Sequence, residues 1–149
     1  MPRPVIPERY DAETAAAMTQ LGDGLEGLPA YLGIRTTHMG PATMTAQLEV
    51  RADLLNPFGT LHGGVIAALV DHVLGAVLYP VIEHGRWAAT TEFKVNLLAA
   101  VRGGSVEARS TIVSLTRRTA VVQVEVDNDG RPCGLAQGTV LIAEPRSAT

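Results

Sequence analysis

Two features of the chain place chemically useful groups where a carbonyl compound could be attacked. The first is Asp71, in the middle of an apolar run over residues 63–79 that also holds Val65, Ile66, Leu69, Val70, Val73, Leu74, Val77 and Leu78. An ionised carboxylate in such surroundings is costly to desolvate without partners. Carboxylates so placed serve as nucleophiles or general bases, or they are structural groups that accept hydrogen bonds or face solvent at a sheet edge. The second feature is His62-Gly63-Gly64 at the start of the same run. If the run is a helix, its first N–H groups are unpaired and its dipole is positive there. Two residues without side chains let a carbonyl oxygen approach, so the pair is a candidate oxyanion site as well as a plain cap.

The spacing of these features sets a condition on their use. Gly63 and Asp71 are eight residues apart, which on a helix is about 12 Å along the axis. Reacting groups must come within about 3.5 Å of the attacked centre. A single copy of the helix therefore does not bring both to one carbonyl, whereas a second copy packed antiparallel across a two-fold axis would. The expectation is a homodimer with shared sites.

The elements that must position these groups are legible in outline. Residues 1–10 contain three prolines and read as an irregular arm; Asp11 can cap a short helix over residues 12–21 that Gly22 would end. Residues 22–29 read as a connector. Two strand-like runs share residues 30–50, broken at Gly40-Pro41, and a loop, Asn56-Pro57-Phe58-Gly59-Thr60, precedes the helix, which Pro80 stops. Strands are expected over residues 87–98, 105–115, 119–126 and 132–144, separated by Arg102-Gly103-Gly104 and Asp127-Asn128-Asp129-Gly130. One long helix between two early and four later strands implies an α+β fold, an antiparallel sheet wrapped around a central helix. The division expected is an N-terminal arm, short helix and connector over residues 1–29, then one domain over residues 30–149.

Composition narrows the partners. A net charge of -3 carries no broad basic footprint for nucleic acid. The lone Cys133 forms no internal disulfide, and neither it nor His38, His72 and His84 stands at ligand spacing, so no metal is assigned. The first residues lack an apolar signal core, and the longest apolar stretch is interrupted by Asp71 and His72. A cytoplasmic protein that neither spans nor binds a membrane is expected.

The chain resembles the hotdog-fold acyl-CoA thioesterases, in the branch similar to phenylacetyl-CoA thioesterases. The likeness rests on Asn56-Pro57-Phe58-Gly59-Thr60-Leu61-His62-Gly63-Gly64, Ala67-Ala68-Leu69-Val70-Asp71, Thr90-Thr91-Glu92-Phe93-Lys94-Val95-Asn96 and Ala136-Gln137-Gly138-Thr139. It covers about residues 30–144. It implies hydrolysis of an acyl-CoA with no cofactor beyond the CoA of the substrate. Asp71 would be nucleophile or general base for water, and the Gly63 N–H, with or without that of Gly64, would bind the oxyanion. Asn56 would position the carboxylate or the attacking water, His62 would orient the thioester, and Thr90 would hold the water. Thr91 is the alternative to Thr90, since a one-residue shift reverses the face of a strand. Relatives of this kind imply a homodimer, with dimers pairing into tetramers. After Asn96 the family's basic residue and proline are replaced by Leu98-Ala99-Ala100. Arg117 and Arg118 at the next turn are the candidates for CoA phosphate contacts, with a solvated turn as the alternative. Two other functions compete: hydration or dehydration of an acyl thioester with His62 as base, and non-catalytic acyl-CoA binding.

Overall fold

The protein is described from a computed structural model over residues 3–21 and 26–145. In chain order the elements are helices α1 (Ala12–Gln20) and α2 (Gly27–Leu32), strands β1 (Arg35–Gly40) and β2 (Thr43–Glu49), and a 3-10 turn at Ala52–Leu54. They continue with helix α3 (Gly63–Ala76) and strands β3 (Trp87–Leu97), β4 (Ser105–Leu115), β5 (Thr119–Asn128) and β6 (Arg131–Ala143). The six strands form one antiparallel sheet in the order β1-β2-β4-β5-β6-β3. The helix α3 lies on its concave face, touching β2 through β6.

Alternation fixes which face of the sheet meets the helix. Val106, Ala108, Val122, Val124, Val126, Ala136 and Val140 are buried beneath α3, at the every-second positions that the pleat directs to one side. The helix contributes Val65, Ile66, Leu69, Val70, Val73 and Leu74 to the same core. The β5–β6 turn is tighter than the four-residue loop read from the sequence. Strand β5 runs through Asn128, and Asp129 and Gly130, both with positive φ, make the reversal, the pattern that suits the twist of a hairpin.

Two expectations change, while the arm, irregular as read, proves to be tied down. Part of the stretch read as a connector belongs to a helix, α2, whose chain turns out of it at Gly33 with φ +69. The central helix keeps α-helical bonding only to Ala76. Beyond it the chain tightens into shorter-range turns, with Leu78 N–H bonded to Gly75 O and Tyr79 N–H to Ala76 O. The N-terminal arm is attached to the fold. Val5 N–H bonds to Ile112 O at 3.0 Å, Asp11 N–H to Pro80 O at 2.7 Å, and Ala15 of α1 is part of the core. Asp11 caps α1 as expected, accepting from the N–H groups of Glu13 and Thr14, while Gly22, assigned to the helix end, lies outside the described residues.

Candidate active site

The face of α3 turned away from the sheet is open. A single sheet covers one side of a helix, and here it covers the side of Leu69 and Val73. At intervals of three and four residues the other side presents Gly64, Ala67, Ala68, Asp71 and Gly75, all half-buried or exposed. Asp71 is exposed in the single chain, which corrects the expectation of a buried carboxylate. The apolar residues that suggested enclosure are buried; the carboxylate sits on the one strip the sheet does not reach.

Strand β3 runs back along this strip. Gly75 faces Ala88, and Gly63 faces Leu97, so helix and strand lie side by side with opposite directions. Between them is a groove of about 720 Å³, and its lining includes Asp71, His72, Gly75, Thr90, Thr91 and Glu92. The structure distinguishes Thr90 from Thr91 by their hydrogen bonding. The pairing with β6 shifts between Thr90 and Glu92, a bulge that brings both threonines to the groove. The Thr91 hydroxyl donates to Thr139 O at 3.0 Å, leaving Thr90 as the threonine whose hydroxyl is bonded to no other described residue.

His72 and Glu92 are groove residues that the sequence reading did not assign to the site. Burial holds the His72 imidazole below its ordinary pKa, against the opposing pull of Asp71, so the ring is neutral near pH 7. Its Nε2 is buried and has no hydrogen-bond partner among the described residues. Glu92 carried a signal, since it lies in the strand that also supplies Thr90.

Asn56 and Gly63 belong to a second, smaller hollow of about 270 Å³, shared with Thr60, Leu97 and Leu98. Within one chain, then, Asp71 and Thr90 are together, Asn56 and Gly63 are together, and the two groups stand apart. The Asn56 side chain organises its own loop. Its Oδ1 accepts from Phe58 N–H at 2.9 Å and Thr60 N–H at 3.2 Å, and its Nδ2 donates to Thr60 Oγ1 at 2.7 Å. One N–H of the amide remains.

His62 is the N-cap of α3, and its Nδ1 accepts from Gly64 N–H at 2.8 Å. The Gly64 N–H, read from sequence as a candidate second oxyanion donor, is thereby engaged by His62. No described residue bonds to the Gly63 N–H, so that donor points out of the helix end unpaired. Accepting at Nδ1 puts the proton of neutral His62 on Nε2. Arg117 and Arg118 are exposed on the β4–β5 turn and line neither hollow. Among the described residues no group of three or more His, Cys, Asp or Glu is placed to hold a metal, and no helix is long and apolar enough to cross a membrane.

A six-stranded antiparallel sheet curled over one helix, with a carboxylate groove and an amide-lined helix start, is the architecture of the hotdog thioesterases. Residues 58–134 match the family model of the thioesterase superfamily. The chain is 29% identical to a 1,4-dihydroxy-2-naphthoyl-CoA hydrolase of Escherichia coli, covering 87% of this chain and 94% of that one. Among solved structures it is similar to a thioesterase from Haemophilus influenzae, with a TM-score of 0.82 and 25% identity over 96% of this chain and 98% of the other. It is also similar to a variant of the phenylacetic acid degradation protein PaaI from Thermus thermophilus, with a TM-score of 0.73 and 32% identity over 79% of this chain and all of that one. The chain belongs to the thioesterase superfamily and is a thioester hydrolase, which sets aside the hydratase and the non-catalytic readings.

Proposed function

We propose that the protein hydrolyses an acyl-CoA to a free acid and CoA at two equivalent sites of a homodimer, each built from both subunits. The observation that carries this reading is that Asp71 lies on the open strip of α3 while the unpaired Gly63 N–H stands at the start of the same helix, about 12 Å away along the axis. A second α3, antiparallel and related by a two-fold axis, would set Asp71 against Gly63 of the partner subunit. The position of β3 at the sheet edge supports the same assembly, because an edge strand offers unpaired backbone groups to another chain.

In this reading the thioester carbonyl lies between the two groups. Asp71 either takes a proton from water as the water attacks, or attacks the carbonyl itself to give an anhydride that water then opens. The oxyanion is held by the Gly63 N–H of the partner subunit at the positive end of its helix. Collapse breaks the C–S bond, and the departing thiolate takes up a proton. The remaining N–H of Asn56 orients the carboxylate or the water, Thr90 holds the water, and the Nε2–H of His62 faces the thioester. No cofactor is required beyond the substrate's own CoA. The exposed guanidiniums of Arg117 and Arg118 meet its phosphates. Aryl-acetyl and medium-chain acyl groups are the first candidates, with dimers pairing further into tetramers and the reaction placed in the cytoplasm.

The test is thiol release over a panel of acyl-CoAs, run beside Asp71→Asn. The variant is expected to turn over more than about a hundredfold more slowly with an unchanged fold. Near-normal hydrolysis by Asp71→Asn would sink the proposal.

A further inference from the structure

Arg86 is an unusual residue for its position, just before the edge strand β3. Its side chain is only 10% exposed although it carries a permanent charge. Its hydrogen bonds explain where the chain spends that burial. Nη1 donates to Arg117 O at 3.0 Å, Nη2 donates to Ile142 O at 3.4 Å, and Nη2 pairs with Glu144 Oε1 at 2.8 Å. Nε is sealed from solvent and has no partner among the described residues. The planar fork of the guanidinium is thus aimed at two backbone carbonyls on different strand ends.

One of those carbonyls belongs to the turn that presents Arg117 and Arg118. That turn is otherwise built from short-range bonds. Thr116 Oγ1 accepts from Thr119 N–H at 3.0 Å and from Arg118 N–H at 3.3 Å, and Thr116 N–H bonds to Thr119 O at 2.8 Å. These bonds shape the turn without fixing where it stands. The β4–β5 and β5–β6 ladders hold its two ends, and two longer-range bonds reach the turn itself: Ile142 N–H to Arg118 O at 2.8 Å, and Arg86 to Arg117 O. The turn's two exposed cations are held in place by a third, buried cation.

We infer that Arg86 is a positioning residue for substrate binding: it holds the backbone of the Arg117–Arg118 turn so that their guanidiniums meet the phosphates of a CoA thioester. The inference rests on the proposed acyl-CoA reading. It separates two parts of the substrate, because only the nucleotide end carries phosphate, while the thioester end meets Asp71 and Gly63. Loss of Arg86 should therefore weaken recognition of the CoA portion and leave the chemical step alone.

The experiment compares one acyl group carried on CoA with the same group carried on N-acetylcysteamine, a thioester without phosphates. Arg86→Gln is expected to raise KM for the acyl-CoA about five- to tenfold, the size of one charge-assisted contact set out of register. Its kcat should stay within about twofold, and both constants for the truncated thioester should match wild type. Arg117→Ala combined with Arg118→Ala should reproduce the CoA-selective rise and flatten the dependence of KM on salt. Arg86→Lys keeps the charge opposite Glu144, reaches fewer carbonyls, and should show a smaller version of the same split even if Arg86→Gln does not fold. An equal loss on both thioesters would make Arg86 a prop of general stability and overturn the inference. So would a wild-type KM for acyl-CoA that does not respond to the double arginine variant, with hydrolysis itself intact. Absence of thiol release from either substrate by wild type would instead remove the acyl-CoA reading and this inference with it.

Discussion

The Nδ1 atom of His62 accepts the N–H of Gly64 at 2.8 Å, and a Cβ placed on Gly64 would stand 2.9 Å from that same nitrogen. The cap and the glycine are therefore one device. A side chain at position 64 pushes the imidazole off the helix end, returns the Gly64 donor to the unpaired set and loses the orientation of Nε2. Gly64→Ala should lower kcat/KM by about tenfold or more, with a cap loss of about 1 kcal/mol in stability. Thermal denaturation and steady-state kinetics on the purified variant measure both. Wild-type kinetics in a variant that has lost stability would show that the imidazole serves the helix alone.

The proposed division of the site between subunits has a direct biochemical readout. Asp71→Asn and Asn56→Ala chains are each expected to be nearly inactive alone. Mixed dimers contain one site with both residues intact, so unfolding and refolding an equal mixture should restore about a quarter of wild-type activity, half the dimers carrying one good site in two. No restoration on mixing would place both residues in the same subunit's site.

At the bulge in β3 the two threonines should separate by function. Thr90→Val is expected to slow kcat by about tenfold with little change in stability, because its hydroxyl has no hydrogen-bond partner among the described residues. Thr91→Val removes the bond to Thr139 O and should cost about 1 kcal/mol in unfolding while disturbing kcat less. Chemical denaturation and kinetics of the two variants decide the order.

Stability should fall in mildly acidic solution through His72. Burial lowers the pKa of this imidazole in the folded chain, so below about pH 6.5 the unfolded chain binds a proton that the folded chain resists. Stability is then full above that pH and declines as pH drops toward the lowered folded value. His72→Phe should flatten this part of the pH profile, as followed by thermal melting between pH 7.5 and 5. The protein's own decline unchanged in the variant would assign it to other groups.

Close approach at Gly138 is a test of the packing itself. A Cβ there would lie 2.7 Å from Glu92 O and 2.7 Å from Phe93 Cβ, with Leu74 Cδ1 at 2.9 Å. Backbone of β3 cannot yield cheaply, so Gly138→Ala should destabilise the fold by about 1–3 kcal/mol. The midpoint of thermal unfolding reports it.

Much of this was legible in the residues. Alternation in Val122, Val124 and Val126 was enough to place β5, though its reversal reads as the four residues Asp127-Asn128-Asp129-Gly130 where the strand in fact runs through Asn128. The eight-residue spacing from Gly63 to Asp71 is what motivated the proposal of a second chain. The commitment of the Gly64 N–H was not legible, because it depends on the side-chain torsion of His62, which no periodicity encodes. The exposure of Asp71 was misread for a related reason: an apolar helix reads as enclosed, yet the five small or polar positions at 64, 67, 68, 71 and 75 form a strip that a one-sided sheet leaves bare. The part of α2 inside the expected connector was missed because Gly27 and Pro29 read as loop residues, although proline is well suited to the first turn of a helix.

The attachment of the arm reaches further than packing. Asp11 ties the start of α1 to Pro80, just past the central helix, and seven residues on Met18 of α1 forms part of the wall of the Asp71 groove. The contour of the groove around the carboxylate is thus moulded in part by sequence some fifty residues upstream of it, so altering the N-terminal segment is a way to reshape the proposed site from outside.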